Sequence, residues 1–244
     1  CFKYETEYTV WNEIASGLAS LKKIMSDSKQ YPLFEEYCRA LFTPAAKKVG
    51  WKLKQNEPHT KQLLRGLLLN QLITYGHEQT IQRAKKLFTQ KHIPADMRTV
   101  AYHAVAKTGG AREHNSFIKM YKETDSQQEQ TRIAHALGAF KKQELLERTL
   151  EFAFSEHVRS QDTFIPVHAV WSNPLGRRPA WKSLKKNWNE LVRRYTINSR
   201  ILGYFIMPTS LFVDEKDAQA VETFFKKTDL PASNRALEQS LEKI

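Results

Sequence analysis

The sequence predicts an all-α chain, a superhelix of antiparallel helical hairpins. Three observations carry this. Apolar residues recur at three- and four-residue steps, as in Trp181, Leu184, Trp188, Leu191 and Tyr195, which puts them on one helix face. Only 9 glycines and 9 prolines interrupt 244 residues, and alternating Val/Ile/Thr runs are scarce, so sheet has little support. From Pro94 onward a repeat is present: Val100-Ala101 matches Ile133-Ala134, and Phe117 matches Leu150, both 33 residues apart (133−100 and 150−117).

The elements follow in order. Tyr8 to Met25 is an amphipathic helix with Trp11, Ile14, Leu18, Leu21 and Met25 on one face, ended by Ser26-Asp27-Ser28. Tyr31-Pro32 opens a second helix bearing Phe34, Tyr37, Leu41, Ala45 and Val49, stopped by Gly50. Trp51 to Pro58 is a loop. A third helix carries Leu63, Leu64, Leu67, Leu68, Leu72 and Tyr75 and ends at Gly76; Glu78 to Phe88 forms a fourth. Pro94 opens a fifth, which closes at Gly109-Gly110. The repeat then gives units of helix, turn and helix, similar to HEAT or armadillo repeats, which bury their apolar faces by stacking on neighbours. Asp162 is placed to cap a short helix containing Phe164, Ile165, Val167, His168 and Trp171, with Pro166 in its first turn. Asn198-Ser199 opens a segment with Ile201, Leu202, Phe205 and Ile206, and Asp214 one with Ala218, Val221 and Phe225. Leu230-Pro231 breaks that segment, and Ser233 caps the last helix. No low-complexity linker divides the chain, so residues 1–244 read as one domain.

The stretch from Ser160 to Tyr195 organises the rest. Its helix sets two indoles on the apolar seam and Lys182, Lys185, Lys186, Arg193 and Arg194 on the other side, with Glu190 the only acid among them. Ser172-Asn173-Pro174 leads into it, a cap residue followed by proline. Pro179 lacks an N–H donor, so either residues 173–178 form a separate turn or the helix bends in its first turns. Elsewhere, Cys38 falls on the apolar face of Phe34, Tyr37, Leu41 and Phe42, and two cysteines make no disulfide framework. Low cysteine use favours a reducing, cytoplasmic setting and leaves the compartment open. No apolar run is long enough to span a bilayer.

Catalytic chemistry has no motif here. A zinc-peptidase helix needs two histidines four apart with a glutamate beside the first. His77-Glu78 starts that pattern, but Ile81 stands where the second histidine belongs, and no two of the 8 histidines are three or four residues apart. His77 reads as a helix-boundary residue, and His103 and His135 as packing groups. A net charge of +12 and a pI of about 9.6 suit nucleic acid, an acidic partner, or simply the basic part of a longer parent from which this chain is an excerpt.

Asp162, Asn173-Pro174-x-Gly176, Ala180-Trp181 and Asn187-Trp188-x-x-Leu191 resemble the C-terminal helical domain of zinc aminopeptidases of the aminopeptidase N type, which include the puromycin-sensitive and endoplasmic-reticulum enzymes. Val10-Trp11-x-x-Ile14, Arg132-Ile133-x-x-Ala136-Leu137 and Arg235-Ala236-Leu237-Glu238-Gln239 agree in the same order. The resemblance implies a non-catalytic domain that closes over the active site and encloses the distal part of a peptide. It also implies that the zinc and its ligands lie in upstream domains of the same chain, with no cofactor in this segment. Some relatives place a basic residue just before Asn-Pro, where this chain has Ser172; Arg177 and Arg178 are the nearby candidates to face the substrate. Two rivals stand beside this reading. One is a basic helical repeat binding nucleic acid, like a HEAT-type DNA glycosylase; the other is an adaptor solenoid. The nucleic-acid rival leaves the Asn-Pro and Asn-Trp block unexplained, so no specific nucleic-acid partner is expected.

Overall fold

A computed structural model describes residues 5–195, 199–228 and 234–244. Every regular element among these is helical, in agreement with the all-α expectation. The helices are α1 (Tyr8–Met25), α2 (Tyr31–Val49), α3 (His59–Thr74), α4 (Glu78–Phe88), α5 (Ala95–Thr108), α6 (Ala111–Glu123), α7 (Gln127–Leu137), α8 (Gln143–Ala153), α9 (Phe164–Trp171), α10 (Arg177–Tyr195), α11 (Ser199–Ile206), α12 (Glu215–Lys226) and α13 (Asn234–Leu241). None of them is long and apolar enough to cross a membrane. The chain divides into two compact units, Cys1–Thr108 and Gly109–Ile244. The expected roles of Asn198, Leu230-Pro231 and Ser233 lie outside the described residues.

In the first unit, Trp11 and Leu18 of α1, Phe34, Cys38 and Phe42 of α2, and Leu64, Leu68, Leu72 and Tyr75 around α3 form one core. Burial pushes the Cys38 thiol up to about 11, so it stays protonated and packs as a small apolar group. A second cluster joins Leu69 and Ile73 of α3 to Ile81, Ala84, Met97, Val100 and Ala104 of α4 and α5. The helices end where the sequence indicates: Gly50 and Gly76 hold φ of 72° and 76°, a conformation glycine adopts without strain.

The apolar faces of α1 to α3 are narrower than expected. Leu21 is 48% exposed, Tyr37 60% and Leu63 40%. Ala15 rather than Leu21 lies with Trp11 and Leu18 on the buried stripe, and in α2 Phe34, Cys38 and Phe42 are buried as expected while Tyr37 is not. The intervening loop is anchored by an ion pair with no sequence signature. Arg65 meets Glu57 through both terminal nitrogens at 2.7 Å and donates through Nε to the Gly50 carbonyl at 2.9 Å. Its guanidinium holds the Glu57 carboxyl below the usual range.

The 33-residue repeat is present, with its helices paired differently from the expectation. Val100, Ala101, Phe117, Ile133, Ala134 and Leu150 are all buried. The consecutive helices in close contact, however, are α4 with α5, α6 with α7, and α8 with α9, and α7 also packs on α9. The expected pair of α5 and α6 is divided between the two units. Four hydrogen-bonded pairs share the same separation of 33: His103 with Asn70, Lys107 with Thr74, Arg148 with Asn115, and Asn173 with Phe140.

Candidate functional site

Asn173 sits at the junction of α9 and α10. Its Oδ1 accepts from the Leu175 N–H at 3.1 Å, capping a 3-10 turn over Pro174–Gly176. Its amide donates in the other direction, to the carbonyls of Gly138 and Phe140 at 2.9 and 2.8 Å, in the loop joining α7 to α8. Pro174 opens the turn, where a missing N–H costs nothing. Gly176 passes so close to α9 that a Cβ would collide with the Val170 carbonyl, and Gly138 approaches Ala169 in the same way. Residues 173–176 are thus a separate turn, and Pro179 falls in the first turn of α10, where no partner for its nitrogen is required.

Asp162 does not cap α9. It ends a 3-10 turn over Ser160–Asp162, and its carboxylate accepts from Arg159 Nε at 2.7 Å. Thr163 precedes α9 with no side-chain cap, because the turn has already brought the chain into helical geometry. The Tyr195 hydroxyl donates to the Ser160 carbonyl, tying the far end of α10 to this turn.

The seam of α10 is buried through Trp181, Leu184, Trp188, Leu191 and Tyr195, as the spacing indicates. Trp181 meets Phe212, Phe224 and Phe225 at centroid distances of 6.4, 5.4 and 6.2 Å, and Trp188 meets Phe224 and Phe225 at 6.0 and 5.0 Å. These indoles therefore hold α12. Arg177 is buried at the start of α10. Arg178 is exposed and occupied: it pairs with Asp217 at 2.6 Å and Asp214 at 3.6 Å, and lies 5.7 Å from the Phe212 ring centre. Asn187 donates to the Ser183 carbonyl at 2.8 Å, one turn back along the helix.

The polar side of α10 faces α8 across a groove of about 380 Å³. Lys182, Lys186 and Asn187 line it from α10, and Glu147 and Glu151 from α8. Among the described residues no carboxylate lies within ion-pair distance of Lys182 or Lys186. The groove thus offers two lysines and two acids to a chain laid across it, a surface suited to peptide side chains and backbone. Sequence reasoning placed the lysines on the free face of α10 but gave no reason to pair that face with Glu147 and Glu151.

No group of three metal-ligating side chains is assembled among the described residues. His77 caps α4 instead, its Nδ1 accepting from the Thr80 N–H at 3.3 Å. Residues 1–244 match the family model described as the ERAP1-like C-terminal domain. Aminopeptidase M1-B of Oryza sativa subsp. japonica is 30% identical over 255 residues, covering 100% of this chain. The chain belongs to the ERAP1-like C-terminal domain family. Other relatives of this ERAP1-like domain include the glutamyl aminopeptidase of Sus scrofa, 30% identical over 99% of the chain, and that of Homo sapiens, 28% identical over 99%. The chain spans 29% of the rice relative's length and 26% of each of the other two. The resemblance read from Asn173-Pro174 and Asn187-Trp188 thus extends over the whole ERAP1-like domain.

Proposed function

We propose that this chain is the C-terminal helical domain of a zinc-dependent aminopeptidase, and that it encloses the distal part of peptide substrates. The observation that carries the reading is the match of one C-terminal domain family to all 244 residues, together with relatives that are themselves named aminopeptidases. The single match also favours treating both compact units as parts of one domain. On this reading the zinc and its chemistry belong to the upstream part of the parent chain. The partners of this domain are then those upstream domains and the peptide.

The enclosing role uses the polar face of α10. Among the described residues Lys182 and Lys186 have no carboxylate within ion-pair distance, while Arg178, which does not line the groove, is held beside Asp214 and Asp217. A peptide long enough to extend away from the zinc would meet these groups, and one residue would not. Contacts to the remote part of a substrate appear in KM, in kcat or in both. A substrate-length series on the full-length enzyme tests this with Arg178→Ala and with Lys182→Ala/Lys186→Ala. Losing a charge-assisted hydrogen bond, worth about 1.5–3 kcal/mol, lowers kcat/KM roughly ten- to a hundredfold for longer peptides. Single-residue chromogenic substrates should be unaffected. Equal losses at every length would remove these residues from substrate binding. Arg177 is buried, so its replacement reports on packing as well as on substrate.

A further inference from the structure

The first unit carries a second concavity, unlike the groove on α10 in its electrostatics. It has a volume of about 350 Å³ and lies among α2, α3 and α4. Lys47, Arg83, Trp51, His77 and Thr80 line it, and no acidic side chain does. Arg83 is exposed, yet its guanidinium carbon sits 4.7 Å from the centre of the Trp51 ring. Stacking of this kind holds the guanidinium plane and leaves its N–H edge free to donate. Neither Arg83 nor Lys47 has a carboxylate within ion-pair distance among the described residues.

His77 adds a neutral donor. Its Nδ1 is occupied by the Thr80 N–H at 3.3 Å and the Thr80 hydroxyl at 2.8 Å, which assigns the ring proton to Nε2. Packing alone accounts for Arg83 on Trp51. It does not account for a second cation and a histidine whose ring proton is on Nε2 lining the same open volume with no acid to balance them.

We propose that this pocket binds a phosphate-type dianion, such as a small phosphate monoester, with Arg83 bridging two oxygens and Lys47 taking a third. Two fixed cations match a charge of about −2, whereas a lone carboxylate would leave one of them uncompensated. The guanidinium fork suits tetrahedral oxyanions, and Lys47 serves as the point charge beside it.

The test is a calorimetric titration of the 244-residue chain with inorganic phosphate, at about pH 7.5 and constant ionic strength, where phosphate is mostly dianionic. Saturable binding to one site is expected, with Arg83→Gln and Lys47→Gln each weakening it about tenfold or more. Lys216→Gln, exposed on α12 in the other unit, serves as the control for bulk charge and should leave the affinity unchanged. Acetate should bind about tenfold more weakly or worse than phosphate. Lys47 is exposed on the last turn of α2, so its variant decides the matter even if Arg83→Gln perturbs folding. Absence of saturable phosphate binding would overturn the proposal. So would an equal loss in Lys216→Gln, or acetate binding as tightly as phosphate.

Discussion

Asn173 offers the sharpest separation of capping from bracing. Replacing it by Asp keeps an oxygen for the Leu175 N–H, so the 3-10 turn retains its cap. The two amide donors are lost, and a carboxylate oxygen is set against the carbonyls of Gly138 and Phe140. Each hydrogen bond contributes about 1 kcal/mol net, and a partly buried carbonyl left without a partner costs about 1–3 kcal/mol. The expected destabilisation of Asn173→Asp is therefore about 2–4 kcal/mol, most of it from the brace. Phe140 is fully buried against Phe117 and His114, at centroid distances of 6.2 and 5.2 Å, so freeing its carbonyl loosens that cluster too. Urea unfolding followed by tryptophan fluorescence reads this, because three of the five tryptophans, Trp171, Trp181 and Trp188, lie in the second unit. Asn173→Ser, which can cap but not brace, should lose nearly as much as Asn173→Asp. A change below about 0.5 kcal/mol in both variants would show that the two donated bonds contribute nothing.

Other expectations follow from the same packing. Trp188→Ala should cost about 3–5 kcal/mol. Lys185→Ala should cost less than about 1 kcal/mol, since among the described residues Lys185 has its position 5.2 Å from the Trp181 ring centre to lose and no ion pair. Equal midpoints for these two variants would mean the faces of α10 are assigned wrongly. Gly176→Ala should destabilise by about 1–3 kcal/mol through its collision with the Val170 carbonyl; a neutral variant would show that the turn can shift away from α9. His114 is buried 2.9 Å from the Thr149 hydroxyl, and burial, with Arg148 nearby, lowers its pKa to about 4. The unfolded chain takes up that proton near the ordinary value of 6.5, so the folded state binds fewer protons below it, and stability falls as pH drops from 6.5 toward 4. The slope is up to about 1.4 kcal/mol per pH unit for one group. Burial also lowers His77, His103, His135 and His168, so denaturation midpoints in His114→Gln should fall less steeply across that window without becoming flat, and an unchanged slope would exclude His114 as a source.

Helix positions were legible because a 3.6-residue period and end signals are local properties. The boundaries of α1, α2 and α4 and the stops at Gly50 and Gly76 are readable for that reason. Exposure of Leu21, Tyr37 and Leu63 was not, since a helical wheel gives the direction of a residue but not how wide a face its neighbours cover. The capping expected of Asp162 failed because its carboxylate is taken by the Arg159 guanidinium three residues back, a choice between local partners that spacing does not decide. The braces made by Asn173 and Arg65 reach 8 to 35 residues along the chain, and helical periodicity does not single out such partners. The candidate site was half visible in the same way. Lys182 and Lys186 follow from helical periodicity, while Glu147 and Glu151 become relevant only once α8 is set beside α10.

The four bonded pairs separated by 33 residues act as a ruler on the chain. One residue added inside α8 upstream of Arg148 would rotate that side chain by about 100° and turn it from Asn115. The same residue added at Thr124 to Ser126, between α6 and α7, can bulge outward and leave the pair in register. Tolerance to changes in length should therefore be concentrated in the turns between helices. A library of single-residue insertions would map the gauge as alternating permissive and forbidden zones, with the forbidden ones ending where the helices do.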